Sequence, residues 1–174
     1  MSPQITDKLQ QISLLLLDVD GVLTDGTIIY DDSNIETKMF NAKDGMGIRL
    51  LMDNGIQVGI VTGRASSALR NRCKNLGITM IFDGIQDKAQ ALKQIMLQTG
   101  KASQEIAFMG DDLPDLPIMN RVGLSVAVAD AHEHVRAQAG LVASADGGKG
   151  AVREICEAIL QAKGLWHNIL NTYK

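Results

Sequence analysis

Aromatic side chains are scarce in this sequence, at 3% of 174 residues. A core of stacked rings is therefore excluded, and aliphatic side chains must fill the interior, which favours an α/β fold over an aromatic-rich β-sandwich. Cysteine is scarcer still. Cys73 and Cys156 form no CxxC pair and no ligand spacing, so they read as free buried thiols in a reducing compartment. With 17 basic and 20 acidic residues the net charge is -3. No long run of one sign marks a nucleic-acid patch or a polybasic membrane anchor. Long apolar runs are missing too: the polar start MSPQITDKLQQ leads only into Leu14–Leu17, too short for a signal peptide or a membrane span. These absences predict a soluble, cytoplasmic protein, with no nucleic-acid and no membrane partner, that meets a small molecule or another protein.

What is present has a strong rhythm. A chain of 174 residues suits a single domain over 1–174. Apolar runs of strand length fall at 12–17, 57–61, 79–82, 106–109, 124–128 and 141–142. Helix-period segments fall at 45–54, 66–75, 88–98, 116–120, 132–137 and 151–163. Ser66, Ser103 and Asp130 stand where N-caps belong, and Gly55, Gly77 and Gly100 where helices stop. Continuous apolar strands alternating with helices predict a doubly wound, mainly parallel α/β sheet, Rossmann-like, with helices on both faces. One segment breaks the pattern. TIIYDDSNIETKMF, within 26–41, reads as a β-hairpin turning at Asp31-Asp32-Ser33-Asn34 and inserted after the first strand.

The stretch LLLLDVDGVLTDG, from Leu14 to Gly26, poses the chemical question, because a buried run ends in carboxylates. In open parallel sheets ligands bind at the carboxyl ends of the strands. Asp18 and Asp20 end the first strand, Thr62 ends the second, and Asp111, Asp112 and Asp115 follow the strand at 106–109, with Lys88 opening a helix. Carboxylates gathered on one rim raise one another's pKa unless a cation neutralises them, and an all-oxygen donor set favours Mg²⁺. One carboxylate can then attack phosphorus while another, two residues on, serves as general acid and base. Thr62 and Lys88 would hold phosphoryl oxygens. Taken singly, a DxD, a Thr-Gly turn or a lysine at a helix start is common on solvated surfaces; their joint placement at strand ends and helix starts points to chemistry. A phosphorylated-aspartate switch would use similar groups, but its acceptor and acidic pair lie on different strands. Here Asp18 and Asp20 share one strand end, and a base beside the nucleophile works against a lasting phosphate. His132 and His134 flank Glu133 on a polar segment that gives no reason to expect zinc.

LLLLDVDGVLTDG, VTGR at 61–64, Lys88 in DKAQAL and GDDLPD at 110–115 together resemble the four motifs of the haloacid dehalogenase-like phosphatases. The resemblance implies Asp18 as the nucleophile forming an aspartyl phosphate and Asp20 as general acid/base. It implies Mg²⁺ on the Asp18 carboxylate, the Asp20 carbonyl and Asp111, with Asp112 close behind. Neither the interval from Asp20 to Thr62 nor that from Thr62 to Lys88 holds a cap domain in addition to the core elements. TDGTIIY, FNAKDGMGIRLL and VTGRASSALRNRCKNLGI are similar to the cap-less 3-deoxy-D-manno-octulosonate 8-phosphate phosphatases of lipopolysaccharide biosynthesis. Those are homotetramers with the hairpin at the subunit interface.

That similarity implies a sugar-phosphate substrate touched by Asp20, Asn41, Ala42, Lys43, Asp44, Gly45, Arg49, Gly63, Arg64, Arg72 and Lys88. A guanidinium fork matches the sugar's carboxylate. Arg49 and Arg72 can equally be read as surface salt-bridge partners, and Lys43 and Asp44 as helix-start charges. A nine-carbon, sialic-acid-type sugar acid 9-phosphate is the alternative substrate. The segment Gly147-Gly148-Lys149-Gly150 reads either as a loop and helix cap or as a mobile lid bringing Lys149 to a neighbouring subunit's substrate. The tail at 164–174 carries Trp166 and Tyr173 and reads as a docking tail.

Overall fold

A computed structural model describes residues 2–174. The chain opens with α1 (Pro3–Gln11), where the sequence reading expected no element. Ser2 accepts a hydrogen bond from the Ile5 N–H, and Pro3 takes the first-turn position where a missing N–H does no harm. Only Leu9 of this helix is buried, which is why apolar periodicity did not reveal it.

β1 (Leu14–Leu17) follows, and all four of its leucines are buried. Each stabilises the fold by about 1.5–3 kcal/mol relative to an exposed side chain. The inserted hairpin pairs β2 (Ile29–Tyr30) with β3 (Glu36–Thr37) antiparallel, and Asn34 supplies the left-handed residue of its turn at φ 58°. Then come α2 (Ala42–Asp53), β4 (Gln57–Val61), α3 (Ser67–Leu76), β5 (Met80–Phe82) and α4 (Lys88–Thr99). β6 (Ile106–Gly110), α5 (Leu116–Met119), β7 (Leu124–Ala127), α6 (Glu133–Gln138), β8 (Leu141–Val142), α7 (Ala151–Ala162) and α8 (Trp166–Asn171) complete the order.

The six-stranded sheet runs β5-β4-β1-β6-β7-β8, and every pairing in it is parallel. β1 is central: Leu14–Leu17 pair with residues 57–60 on one side and with 106–109 on the other. Because the chain leaves β1 toward β4 and later returns beside β1 as β6, the topological switch point lies between β1 and β6, where such sheets bind ligands. The expected doubly wound fold is present, and among the described residues the hairpin is the sole insert between β1 and α2.

Several local expectations need correction. The helix expected over 45–54 starts three residues earlier: Asn41 caps α2 by accepting the Lys43 N–H at 2.8 Å, so 42–45 are its first turn. Asp130 caps nothing; it accepts the Gly147 N–H at 2.9 Å, and α6 is capped by His132. Ser103 sits inside a short 3₁₀ turn at Ser103–Glu105. The tail is docked on its own subunit as α8, with Ile169 buried and the Arg153 guanidinium 5.7 Å from the Trp166 ring centre.

The Gly147–Gly150 segment is not shaped as a mobile lid. Gly148 donates to the Val22 carbonyl at 2.9 Å. A Cβ on Gly147 would stand 1.8 Å from the Gly21 carbonyl oxygen. These glycines let a strap lie directly on the loop that follows β1.

Candidate active site

The switch point gathers the side chains that the sequence singled out. Asp18 leaves the end of β1 with its N–H bonded to the Met109 carbonyl at 3.0 Å, so pairing with β6 fixes where the carboxylate starts. Lys88 is the first residue of α4, whose cap Asp87 accepts the N–H groups of Ala89 and Gln90. Its ammonium is buried, 2.9 Å from Asp18 Oδ1 and 5.6 Å from the Phe108 ring centre, and it also donates to Asp115 Oδ1.

The sequence marks Asp115 only as one of the acidic residues after β6. It is 1% exposed, and its Oδ2 accepts the Asp111 N–H at 2.9 Å. It therefore ties the β6 loop to Lys88. Gly110 is required by this packing, since a Cβ there would lie 2.4 Å from Asp115 Oδ2. Gly21 leaves room for Asp111 in the same way, at 2.1 Å from Asp111 Oδ2.

Carboxylate oxygens of Asp18, Asp111 and Asp115 lie within 4.8 Å of one another. Burial, tempered by Lys88 and reinforced by Asp115, pushes Asp18 up to about 6. Burial followed by repulsion from Asp18, Asp115 and Asp112 pushes Asp111 up to about 8. Burial works to lower the Lys88 pKa, but Asp18 and Asp115 outweigh it and hold the ammonium charged. The acids outnumber Lys88, and the donors are all hard oxygens. That composition suits a divalent cation of the Mg²⁺ type, with Asp18 and Asp111 as holders and Asp115 engaged by Lys88.

A cleft of about 360 Å³ opens over this cluster and is lined by Asp18, Asp20, Thr62 and Lys88. Gly63, Arg64, Asp111 and Asp112 complete the part that the sequence anticipated. Thr62 is buried and donates its N–H to the Phe82 carbonyl at 2.9 Å, which sets its side chain at the carboxyl end of β4.

The remaining predicted residues lie outside this cleft and form a second cluster at the start of α2. Asn41 donates to the Gly148 carbonyl at 3.1 Å, and Arg72 donates to the Asn41 carbonyl at 3.1 Å. Gly45 lies against Arg72: a Cβ there would be 2.2 Å from its Nη2. Asp44 is buried and accepts the Arg153 N–H at 2.8 Å, and burial raises its pKa. Arg49 donates to the Asn75 carbonyl at 3.3 Å, while Ala42 and Lys43 are exposed. Sequence reasoning also missed Lys38, Glu36 and Tyr30 of the hairpin, which reach Asp20 and Arg64. A lysine just past a short polar strand carries no signal of burial.

A family model described as haloacid dehalogenase-like hydrolase matches residues 80–155, a stretch short of half the chain that carries Lys88 and Asp111 to Asp115. The chain is 44% identical to the 3-deoxy-D-manno-octulosonate 8-phosphate phosphatase KdsC of Salmonella typhimurium over 94% of its own length and 87% of the relative's. It belongs to the 3-deoxy-D-manno-octulosonate 8-phosphate phosphatase family. Solved structures of this octulosonate phosphatase family superpose closely. The Yersinia pestis protein has a TM-score of 0.95 at 41% identity, covering 96% of this chain and 90% of that one. The Moraxella catarrhalis protein, in complex with magnesium, phosphate and KDO, has a TM-score of 0.97 at 38% identity over 100% of both chains. The octulosonate phosphatase likeness thus spans the carboxylates after β1 and the hairpin, which the shorter family match leaves out.

Proposed function

We propose that this chain hydrolyses 3-deoxy-D-manno-octulosonate 8-phosphate to the free sugar acid and inorganic phosphate, in the cytoplasm and in the service of lipopolysaccharide biosynthesis. The observation that carries this reading is the buried Asp18–Lys88–Asp115 arrangement at the switch point, in a chain 44% identical to an octulosonate 8-phosphate phosphatase. Residues 1–174 act as one catalytic domain.

An Asp18 oxygen bonds to phosphorus as the bond from phosphorus to the sugar oxygen breaks, and Asp20 gives that leaving oxygen its proton. Asp20, now a carboxylate, takes a proton from water while the water oxygen bonds to phosphorus and the bond to Asp18 breaks. Phosphate leaves and both aspartates return to their starting state. The Thr62 hydroxyl, the Gly63 N–H and Lys88 hold the phosphoryl oxygens as charge shifts among them. The Asp18 and Asp111 carboxylates and the Asp20 carbonyl, with Asp112 behind them, would hold Mg²⁺, which would supply charge to offset the repulsion between phosphate and acids. Arg64, at the cleft, meets the sugar's carboxylate.

The α2-start cluster of Asn41 to Gly45, together with Arg49 and Arg72, serves substrate in a homotetramer whose active sites lie at subunit interfaces. Asp44 and Arg72 act there by shaping that corner.

The test is Mg²⁺-dependent phosphate release from the eight-carbon acid phosphate, the nine-carbon acid 9-phosphate and simple hexose phosphates. A kcat/KM for the eight-carbon acid at least about tenfold above the others is expected. Preference for the nine-carbon acid would replace the substrate, and a flat profile would leave an unselective phosphatase. Asp18→Asn should abolish turnover with the fold intact by circular dichroism, and appreciable residual activity in a pure preparation would refute the nucleophile assignment.

A further inference from the structure

The hairpin reaches Asp20 in the cleft through Lys38. Residues 36 and 38 are two apart along an extended segment, so their side chains leave the same face, and both turn toward Asp20. The Lys38 side chain is 3% exposed. Its ammonium bonds Asp20 Oδ1 and stands 2.6 Å from Glu36 Oε1. The Arg64 guanidinium closes the other side, 3.4 Å from Glu36 Oε2 and 3.7 Å from Asp20 Oδ2, and donates to the Tyr30 hydroxyl at 2.7 Å. The four groups form a ring of alternating charge in which each carboxylate oxygen faces one cation.

The two oxygens of Asp20 are not equivalent in this ring. Oδ1 is hydrogen-bonded by Lys38. Oδ2 has its nearest ring partner at 3.7 Å, beyond hydrogen-bond reach. A carboxylate with one oxygen tied and the other untied has a fixed orientation and a single oxygen free to exchange a proton. Simple anchoring of the hairpin would need no contact with a cleft residue, because Glu36 already supplies a counter-charge. A buried ammonium has a large desolvation penalty and requires close partners. Here one of those partners is the acid/base itself.

We propose that Lys38, held in place by Glu36, is a positioning residue for the Asp20 carboxylate, fixing Oδ1 so that Oδ2 exchanges protons with the leaving sugar oxygen and then with water. The inference rests on the acid/base role given to Asp20 above. It assigns a catalytic duty to the protein's own hairpin, in the same chain as the cleft it serves.

The test compares wild type, Lys38→Met, Lys38→Arg and Glu36→Gln, each with saturating Mg²⁺ and each checked for an unchanged thermal midpoint. Two substrates are used: the eight-carbon sugar acid phosphate and p-nitrophenyl phosphate, whose aryloxide leaves without needing a proton. For the sugar phosphate, Lys38→Met should lower kcat by about tenfold to a hundredfold, within the range that acid/base assistance supplies. Its KM should stay within about threefold, because no ground-state contact with substrate is removed. Lys38→Arg should restore most of the loss, and Glu36→Gln should move kcat the same way by less.

With the aryl phosphate, formation of the aspartyl phosphate needs no acid but its breakdown still needs the base. Lys38→Met should therefore release a rapid burst of nitrophenolate followed by a slow steady rate. A generally damaged site would lose burst and steady rate together. An unchanged kcat, a change confined to KM, or a loss without a burst in the aryl assay would each overturn the proposal while leaving the phosphatase reading in place. Wild-type protein that releases phosphate from neither ester would overturn the phosphatase reading and this inference with it.

Discussion

Asp18 and Asp111 crowd the same small volume, and their protonation is set by that crowding. Burial, tempered by Lys88 and reinforced by Asp115, raises Asp18 to about 6, and burial with repulsion from Asp18, Asp115 and Asp112 raises Asp111 to about 8. The folded state thus keeps protons that the unfolded chain releases at the ordinary carboxylate value. For an acid with a raised folded pKa, the associated stability is fully present below the unfolded pKa and is lost as pH rises through the folded one. Without metal, the thermal midpoint should therefore fall from about pH 4 upward, with the Asp18 share complete by about 6 and the Asp111 share by about 8, and level off above that. Saturating Mg²⁺ should flatten that fall and raise the midpoint most at the alkaline end, because metal binding displaces protons. Asp111→Asn should remove the upper part of the pH dependence. Calorimetry across pH, with and without Mg²⁺, reads all three, and a midpoint indifferent to both variables would contradict the picture.

Among the elements, the strap of Gly147 and Gly148 carries the sharpest steric condition. Gly148 sits at φ +64°, and a Cβ there would stand 2.5 Å from the Thr24 carbonyl carbon and 2.6 Å from the Asp25 nitrogen. Gly148→Ala should destabilise the protein by about 1–3 kcal/mol, combining left-handed backbone strain with a clash against main chain. It should also lower kcat by displacing the loop that holds Asp20. Denaturant unfolding and steady-state kinetics read both effects, and a neutral substitution would mean that the strap is free to move.

The same elements show how far a sequence can be read. Strand-length leucines ending in DVD gave away β1 and its place on the rim, because burial and chemistry both leave marks in residue type. α1 left little trace, since one buried leucine in a polar segment has no visible period. α8 and the ion pairs of the hairpin were hidden for a different reason. Trp166 meets Arg153, and Lys38 meets Asp20, only through tertiary packing between segments far apart in the chain. The α2-start cluster lay between these cases: its residues were named, but the burial of Asp44 against α7 depends on where that helix packs.

For the whole molecule, the hairpin presents apolar side chains that the subunit does not cover: Ile28, Ile35 and Met39 are 48%, 61% and 67% exposed. Such surface is typical of a contact between chains, and it supports the proposed homotetramer. Ile35→Asp combined with Met39→Asp should shift the sedimenting species to smaller assemblies and raise KM for the sugar phosphate. A tetramer that survives the double change would place the contact elsewhere.

β1 lies at the middle of the sheet, with neighbours on both sides and every side chain covered. A strand in that position cannot fray by itself, and its amides open to solvent only when the sheet comes apart as a unit. Asp18 at its end therefore keeps its place for as long as the sheet stays intact. Local opening of the hairpin or of a peripheral helix thus leaves the starting point of the Asp18 carboxylate unmoved, and only unfolding of the sheet releases it.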